Sequence, residues 1–342
     1  MNDSLEDFRL NYTDLVDQRV GGKALASSDD WFAECENLVN HDEPIFRPGH
    51  FVTTGQWMDG WESRRSFGRC RRDQAGVDHD WCILRLGIPG IIHGVDIETT
   101  HFTGNAPEYA SLEGAWVDGS LSNDMQWFEL LAKSTTDSDD HNFFKIDDAR
   151  PCTHLRLKIY PDGGVARLRA WGSPKLLKEN YVVGELVDLA SVMIGARGQQ
   201  CSDKFYSSPS NLLMPNPGAN MGDGWETRRR RDNGNDWCVI KLGVAGTIRK
   251  VILDTAHFKG NYPESFSLEA TLSASQDLQP EQVRWQTIIA NTQLQADQLH
   301  LYIKQILATS EQQFSHVRLN IFPDGGVSRI RIFGTPDWDA AR

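Results

Sequence analysis

The sequence predicts an all-β protein made of two tandem, duplicated β-sandwich domains. Three observations support this fold class. Unusual phrases occur twice in the same order, short apolar–polar alternations predominate over helical patterns, and Gly, Pro and Asn mark frequent turns. At 342 residues the chain is long enough for two domains of ordinary size, each able to bury its own core.

The internal repeat sets the domain organisation. The phrase DGWESRR at Asp59–Arg65 returns as DGWETRR at Asp223–Arg229, and three longer phrases recur in the same order. They are DWCILRLG (Asp80–Gly87) with DWCVIKLG (Asp236–Gly243), HFTGNAPE (His101–Glu108) with HFKGNYPE (His257–Glu264), and HLRLKIYPDGGVARLRAWG (His154–Gly172) with HVRLNIFPDGGVSRIRIFG (His316–Gly334). A repeat of this length is a duplicated domain rather than a solenoid unit. We predict a first domain over residues 1–173, a linker over 174–183 and a second domain over 184–342.

Alternation predicts the individual strands. Apolar and charged side chains alternate through residues 95–99, the period of two that is typical of a half-buried strand. PDGG at Pro161–Gly164 has the composition of a turn between two such patterns, which predicts a hairpin over His154–Gly172. The stretch Gln293–Leu307 is ambiguous between helix and strand.

Charge and cysteine content exclude several classes of protein. A net charge of −12 argues against nucleic acid as a partner, because phosphates require a basic face. No apolar run is long enough to cross a membrane, and the acidic start MNDSLEDFRL lacks the features of a signal peptide, so we expect a cytoplasmic protein. The six cysteines are sparse and show no CxxC spacing, which favours free thiols, with Cys82 and Cys238 buried in apolar runs.

The candidate functional residues are polar loop residues that both copies retain, since surface loops otherwise drift fastest after duplication. They are Asp59 and Asp223, Glu62 and Glu226, Arg64 and Arg228, Arg65 and Arg229, Asp80 and Asp236, His101 and His257, Asn105 and Asn261, and Asp162 and Asp324. Together they supply an acid, a histidine, a carboxamide and arginines, a set suited to a small polar anion.

Each candidate also has a structural interpretation. Asp59 and Asp162 precede glycines and can shape turns, and Asp80 can satisfy a neighbouring backbone amide. His101 can be an inward histidine at a strand end, and the arginines can pair with Glu62 or Asp80. No GxSxG, HExxH, P-loop or GxGxxG motif is present, so the residues alone support only a two-domain β-sandwich with an anion site.

Four phrases, DGWE[ST]RR, DW-x-I/V-x-x-LG, HF-x-GN-x-PE and PDGG-V-x-R, occur in this order and twice, and they resemble the allantoicase repeat. The resemblance runs from about Leu15 to Pro336. Each repeat is also similar, more distantly, to the galactose-binding-like jelly roll of discoidin-type modules. The resemblance implies two such jelly rolls and the hydrolysis of allantoate to ureidoglycolate and urea in purine breakdown.

The implied substrate has one carbon that bears a carboxylate and two ureido groups, and the candidate residues suit that chemistry. An arginine pair can hold the carboxylate, and carboxylates with asparagine can bind the ureido N–H groups. Our hypothesis gives the acid–base work to Glu62 with His101 in the first repeat and to Glu226 with His257 in the second. The remaining candidates would bind substrate: Arg64, Arg65, Asp80, Asn105, Asp162, Arg228, Arg229, Asp236, Asn261 and Asp324.

Three questions stay open at the level of sequence. The reaction needs no organic cofactor, but a divalent metal held by histidine and carboxylates is not excluded, because the ligand spacing is not diagnostic. The alternative function is a non-catalytic jelly-roll module that binds a small anionic or carbohydrate ligand. We expect a homo-oligomer of unspecified stoichiometry. We also expect unequal repeats, because the first carries a loop of fourteen residues, SFGRCRRDQAGVDH, after its arginines.

Overall fold

The computed structural model describes residues 8–9, 11–66, 78–119, 125–275, 278–307 and 312–339. Its contacts divide the chain into two units, Met1–Lys175 and Leu176–Arg342. Residues 8, 9 and 11 are helical, and the other regular elements are β-strands and short 3₁₀ helices, the latter at Gln18–Val20, Cys35–Val39, Lys178–Asn180, Val192–Ile194, Pro209–Leu213, Met221–Asp223 and Pro280–Gln282. No helix in this part of the chain has both the length and the apolar character needed to cross a membrane.

In the first unit one long strand organises the sandwich. The strands are β1 (Thr13–Asp14), β2 (Lys23–Ser27), β3 (Phe51–Val52), β4 (Gly55–Gln56), β5 (Trp61–Glu62), β6 (Asp80–Glu98), β7 (Tyr109–Ala115), β8 (Phe128–Thr135), β9 (His141–Lys145), β10 (Cys152–Tyr160), β11 (Gly164–Val165) and β12 (Arg167–Pro174). The first half of β6 pairs with β2 and β10, and the second half pairs with β9 and β12. All these pairings are antiparallel, and β6 joins these strands into one eight-stranded sheet.

The second unit repeats this plan. Its strands are β13 (Val187–Asp188), β14 (Arg197–Cys201), β15 (Trp225–Glu226), β16 (Asp236–Asp254), β17 (Ser265–Thr271), β18 (Gln286–Gln293), β19 (Leu299–Tyr302), β20 (Phe314–Phe322), β21 (Gly326–Val327) and β22 (Arg329–Pro336). β16 takes the place of β6, with β14 and β20 on its first half and β19 and β22 on its second. The two units confirm the predicted all-β class of duplicated jelly-roll sandwiches.

The predicted hairpin over His154–Gly172 is wrong. Its two strands, β10 and β12, pair with opposite halves of β6 and not with each other. The reason is the length of β6, whose 19 residues pair with β10 along the first half and with β12 along the second. The ambiguous stretch Gln293–Leu307 contains a strand, Leu299–Tyr302, and no helix.

A buried tryptophan anchors the short strand that carries the first glutamate. Trp61 is fully buried and its indole Nε1 donates to the carbonyl of Asp29 over 2.9 Å. Trp225 repeats this contact with Asp203 at the same distance. Burial of such large side chains fixes the orientation of the residue that follows each of them, because neighbouring residues of a strand point to opposite faces.

A fully buried arginine ties the closing strand to the turn before that tryptophan. The Arg167 side chain is 0% exposed, and its Nη2 lies 2.9 Å from Asp59 Oδ2. The same guanidinium donates to the backbone carbonyls of Asp42 and Asp59. In the second unit Arg329 makes the corresponding ion pair with Asp223 over 2.7 Å. The turn-shaping interpretation of Asp59 is therefore incomplete, since its carboxylate is the partner of a buried cation.

We expect Arg167→Met to destabilise the first unit by roughly 3–5 kcal/mol, because it leaves the Asp59 carboxylate without its partner in a buried position. Arg329→Met should do the same in the second unit. The measurement is guanidinium chloride unfolding followed by tryptophan fluorescence. Arg64→Ala is the control, since the Arg64 side chain is 51% exposed in its ion pair with Asp29 and its loss should cost less. Equal losses for Arg167→Met and the control would contradict the role of the buried pair.

Candidate active site

Three of the repeated phrases meet at one place in each unit. The short strand β5, which carries Glu62, pairs with β11, so that Glu62 lies opposite Gly164. In the second unit Glu226 on β15 lies opposite Gly326 on β21. The loop that follows the long central strand closes the site from a third direction, because the Gly164 N–H donates to the carbonyl of Asn105 over 2.7 Å.

A carboxyl–carboxamide pair lies at the centre of each site. The Asn105 Nδ2 donates to Glu62 Oε1 over 2.7 Å, and the Asn261 Nδ2 donates to Glu226 Oε1 over 2.5 Å. The turn glycine beneath this pair is required by space: Gly163 has φ +140°, and a Cβ there would lie 2.7 Å from the Asn105 carbonyl oxygen. The PDGG phrase is thus the support on which the asparagine loop rests.

The surroundings of Glu62 make it a weaker acid than an exposed glutamate. Burial raises the pKa of its carboxyl, and this effect exceeds the lowering by the Asn105 hydrogen bond and by the charge of Arg65. The charge of Asp162 also raises the pKa of Glu62. Arg65 and Asp162 are therefore the charged residues that act on the Glu62 carboxyl. A carboxyl with a raised pKa is suited to proton transfer near neutral pH.

The retained aspartate of PDGG also orders the chain after the arginines. Asp162 Oδ2 accepts the backbone N–H of Ser66 over 2.5 Å, and Asp324 Oδ2 accepts that of Arg230 over 2.8 Å. Residues 67–77 of the long loop that follows in the first unit lie outside the described part of the chain. The prediction that this loop acts as a lid or obstruction therefore stays a prediction.

In the second unit these side chains line a pocket of about 580 Å³. Four of the predicted residues reach it, namely Glu226, Arg229, Asn261 and Asp324. Tyr206, Thr227, Gly260, Tyr262, Glu264, Gln293, Leu294, Pro323 and Gly325 complete the wall. The pocket therefore combines a carboxyl group, a carboxamide, a guanidinium and further hydrogen-bonding groups within one unit.

Arg64 and Arg228 do not fit the predicted substrate-binding role. Arg64 forms an ion pair with Asp29 over 2.6 Å and lies over the ring of Trp31. Burial acts to raise the pKa of Asp29, but the hydrogen bonds from Arg64 outweigh it and the pKa is lowered. Arg228 pairs with Asp203 over 2.7 Å in the same way. The structural interpretation is the better one for these two arginines, with an aspartate partner that the sequence did not suggest.

Asp80 and Asp236 are also structural. Both are buried at the start of the long central strand, where Asp80 Oδ1 accepts the hydroxyl of Ser28 over 2.9 Å. Asp236 Oδ1 accepts the Ser202 hydroxyl and an N–H of Arg230, each over 2.8 Å. Asp236 is absent from the wall of the described pocket. Their described contacts are structural, and their role in substrate binding stays a prediction.

The two histidines are held by the backbone rather than paired with the glutamates. His101 and His257 both have φ +72°, and their N–H groups donate to the carboxylates of Asp139 and Asp297 over 2.7 Å. The Nε2 of His101 lies 3.1 Å from the Pro44 carbonyl oxygen, and that of His257 lies 2.7 Å from the Gly218 carbonyl oxygen. A carbonyl only accepts, so each Nε2 carries the proton.

His257 is not part of the described pocket wall. The acid–base role of these histidines stays a prediction, and their described contacts hold the loop before the DGWE phrase.

Sequence reasoning missed two kinds of residue. Arg167 and Arg329 stand inside the retained PDGG-V-x-R phrase, and their retention was the signal that could have identified them. Tyr206 and Tyr262 line the pocket of the second unit but have no tyrosine counterpart in the first, so a search for retained residues could not find them.

The sequence left open a divalent metal site, and the group of possible metal-ligand donors found among the described residues includes neither of the two glutamates. Within the described ranges, Asp30, Cys35 and Glu36 form the one group of three metal-ligand donors whose atoms lie within 4.8 Å of one another. None of these residues belongs to the clusters around Glu62 or Glu226. The five described cysteines are free thiols, and Cys82 and Cys238 are fully buried, as the sequence predicts.

Comparison with known proteins identifies the family. The family model described as the allantoicase repeat matches residues 13–175 and 187–337. A probable allantoicase of Pseudomonas aeruginosa is 44% identical over 340 residues, covering 98% of this chain and 99% of the relative. An allantoicase of Dictyostelium discoideum is 43% identical over 93% of this chain and 86% of its own. The crystal structure of allantoicase from Saccharomyces cerevisiae matches at a TM-score of 0.79 and 34% identity, covering 97% of this chain and 98% of that one. The chain therefore belongs to the allantoicase family.

Proposed function

We propose that the clusters around Glu62 and Glu226 are the sites at which this member of the allantoicase family hydrolyses allantoate to ureidoglycolate and urea. One observation carries the assignment. Each unit independently brings a glutamate, an asparagine in direct contact with it and the neighbouring PDGG turn to the same place. The family membership supports the reaction, and it disfavours the non-catalytic binding module as an alternative.

Substrate binding follows from the charges of the cluster. Arg65 and Arg229 are the arginines that lie near the glutamates, and a guanidinium fork binds a carboxylate through two parallel hydrogen bonds. The asparagine Oδ1 and the carboxylate of Asp162 or Asp324 are acceptors for ureido N–H groups. The substrate is thereby held with its central carbon toward the glutamate.

The glutamate is the group that transfers the proton. In the described part of the chain the asparagine occupies Oε1, and no hydrogen bond from another described residue reaches Oε2, which is available to substrate. The protonated carboxyl gives its proton to the nitrogen of the departing ureido group, and the C–N bond breaks as the nitrogen of the remaining ureido group forms a double bond to the central carbon. Water then adds to that carbon and returns a proton to the carboxylate. The balance is one allantoate and one water consumed, and one urea and one ureidoglycolate formed.

The reaction in this form needs no organic cofactor, which we keep as a proposal. The acid, the base and the anion-binding group are all supplied by side chains of one cluster. The sequence leaves a divalent metal open, and we propose metal-independent catalysis as the working hypothesis, because the group of three metal-ligand donors in the described ranges, Asp30, Cys35 and Glu36, includes neither glutamate.

Location and assembly are further proposals. Free thiols agree with a reducing compartment such as the cytoplasm.

Leu299, Leu301 and Ile303 form an exposed apolar row on and beside the edge strand β19, and such edges favour association with another chain. We propose a cytoplasmic homo-oligomer, whose mass light scattering of the purified protein would give.

The purified protein should release urea from allantoate but not from allantoin, whose closed ring hides the carboxylate that the arginine binds. A colorimetric urea assay after dialysis against EDTA tests both the substrate and the metal-independent hypothesis. Activity that disappears on dialysis and returns with added metal would reject the latter alone. Urea from neither compound would reject the proposed reaction.

Glu62→Gln and Glu226→Gln should each lower the turnover of their own site by roughly 10²–10⁴-fold, the usual contribution of a general acid–base group. The amide keeps the shape of the side chain but cannot transfer the proton. We expect unequal losses of total kcat, because the two units differ around the site. Glu179→Gln, on an exposed 3₁₀ turn, is the control. Unchanged kcat in both variants would remove the glutamates from the mechanism, and equal halving would contradict their inequality.

Arg65→Ala and Arg229→Ala should raise the KM for allantoate at least about tenfold, the effect of losing a charge-assisted hydrogen bond. The adjacent Arg64→Ala and Arg228→Ala are matched controls, because their guanidinium groups are held by Asp29 and Asp203. Circular dichroism verifies folding in all four. A larger KM change in the controls than in the test variants would reverse the assignment.

A further inference from the structure

The two sites differ in their neutral hydrogen-bonding groups. Tyr206 and Tyr262 line the pocket of the second unit, and Phe32 and Ala106 stand at the same places in the first. The equivalence is structural as well as sequential. Tyr206 follows by three residues the aspartate whose carbonyl accepts the buried indole of Trp225, and Phe32 stands in the same relation to Trp61.

The second pair of positions is fixed by the catalytic cluster itself. Tyr262 directly follows Asn261, which donates to Glu226, and Ala106 directly follows Asn105, which donates to Glu62. Backbone carbonyls of both asparagines accept from a turn glycine over 2.7–2.8 Å, so the loops have the same course in the two units. The difference between tyrosine and alanine is therefore a difference at one position of an otherwise repeated site.

Arg228, which is held by Asp203 outside the pocket wall, supports the position of Tyr206 through a neighbouring aromatic ring. Arg228 is held by Asp203 and lies over the ring of Phe205, 5.1 Å from its centroid. Phe205 in turn packs edge-on against Tyr206, with ring centroids 4.9 Å apart. The retained arginine thus fixes an aromatic pair at the pocket rim.

An allantoate-like ligand presents groups that these hydroxyls complement. Each ureido group has a carbonyl oxygen that needs a donor, whereas the aspartate and asparagine oxygens of the cluster are acceptors, the glutamate proton goes to the departing nitrogen and the guanidinium is matched to the carboxylate. A phenol hydroxyl is a neutral donor that can serve the carbonyl. The described residues make no hydrogen bond to either tyrosine hydroxyl, so both are available to ligand.

We propose that Tyr206 and Tyr262 are specificity-determining residues that bind the ureido carbonyl groups, and that they make the second unit the tighter site for ureido substrates. This inference rests on the proposed function of the Glu226 cluster. The first unit, with Phe32 and Ala106, binds the same carboxylate and N–H groups but has no tyrosine hydroxyl for the ureido carbonyl groups.

The test removes the hydroxyls and then adds them to the other unit. Tyr206→Phe with Tyr262→Phe should raise the KM for allantoate about tenfold, as expected for two neutral hydrogen bonds, with less than about a twofold change in kcat. Phe32→Tyr with Ala106→Tyr in the Glu226→Gln background should lower the KM of the remaining site. Tyr181→Phe, which alters a tyrosine of the second unit that packs on Trp338 outside the pocket wall, is the matched control.

An unchanged KM in the double phenylalanine variant, with Glu226→Gln still impairing turnover, would overturn the inference and leave the proposed function standing. Loss of kcat without a change in KM would also overturn it, because the hydroxyls would then act in the chemistry and not in recognition. If Glu226→Gln leaves turnover intact, the proposed function of this site fails first.

Discussion

The ion pair between a buried arginine and the aspartate of the DGWE phrase is the interaction on which each site depends. Arg167 is the first residue of β12, shortly after the PDGG turn. Its side chain contacts the Asp59 carboxylate and the backbone carbonyls of Asp42 and Asp59. A cation in this environment requires its partner, so the turn and the closing strand have only one arrangement relative to each other. That arrangement sets β5 against β11 and hence the glutamate opposite the glycine. Arg329 and Asp223 impose the same constraint on the second unit.

The residues that both copies retain include structural residues as well as candidate catalytic and binding residues. Only their contacts in the structure distinguish the two kinds. Adjacent arginines show this most clearly. Arg228 has an aspartate partner and an aromatic ring beneath it, whereas Arg229 lines the pocket. A retained histidine can likewise serve a backbone carbonyl, as His257 does for Gly218. The phrase DGWE[ST]RR therefore contains an anchoring aspartate, a core tryptophan and a structural cation, and close beside them the glutamate and the arginine to which we propose proton transfer and substrate binding.

Sequence was sufficient for the fold class and for two residues that the structure places in contact in each unit. Period-two alternation and the duplicated phrases predict two β-sandwiches, and the retained phrases indicate both Glu62 and Asn105, which are in direct contact. Pairing was harder to predict, because β10 and β12 are separated by a short turn yet bind different halves of β6. The partners of Arg64 and His101 lie 35 and 57 residues away in the chain, beyond any local pattern. The sequence does not indicate Tyr206 and Tyr262, because comparison of the two copies finds only positions that carry the same residue, and these two positions differ between the copies.

The central strand has a consequence for how the protein is made. β6 pairs with β2 near the start of its unit and with β12 at the end, and β1 also pairs with β12. During synthesis the first sandwich cannot close until Pro174 has left the ribosome, since its last strand supplies partners to both the first strand and the longest one. Contacts between such distant residues make folding slow and leave sheet edges exposed while the chain grows. The nascent chain is therefore the state of this protein that has most need of chaperones.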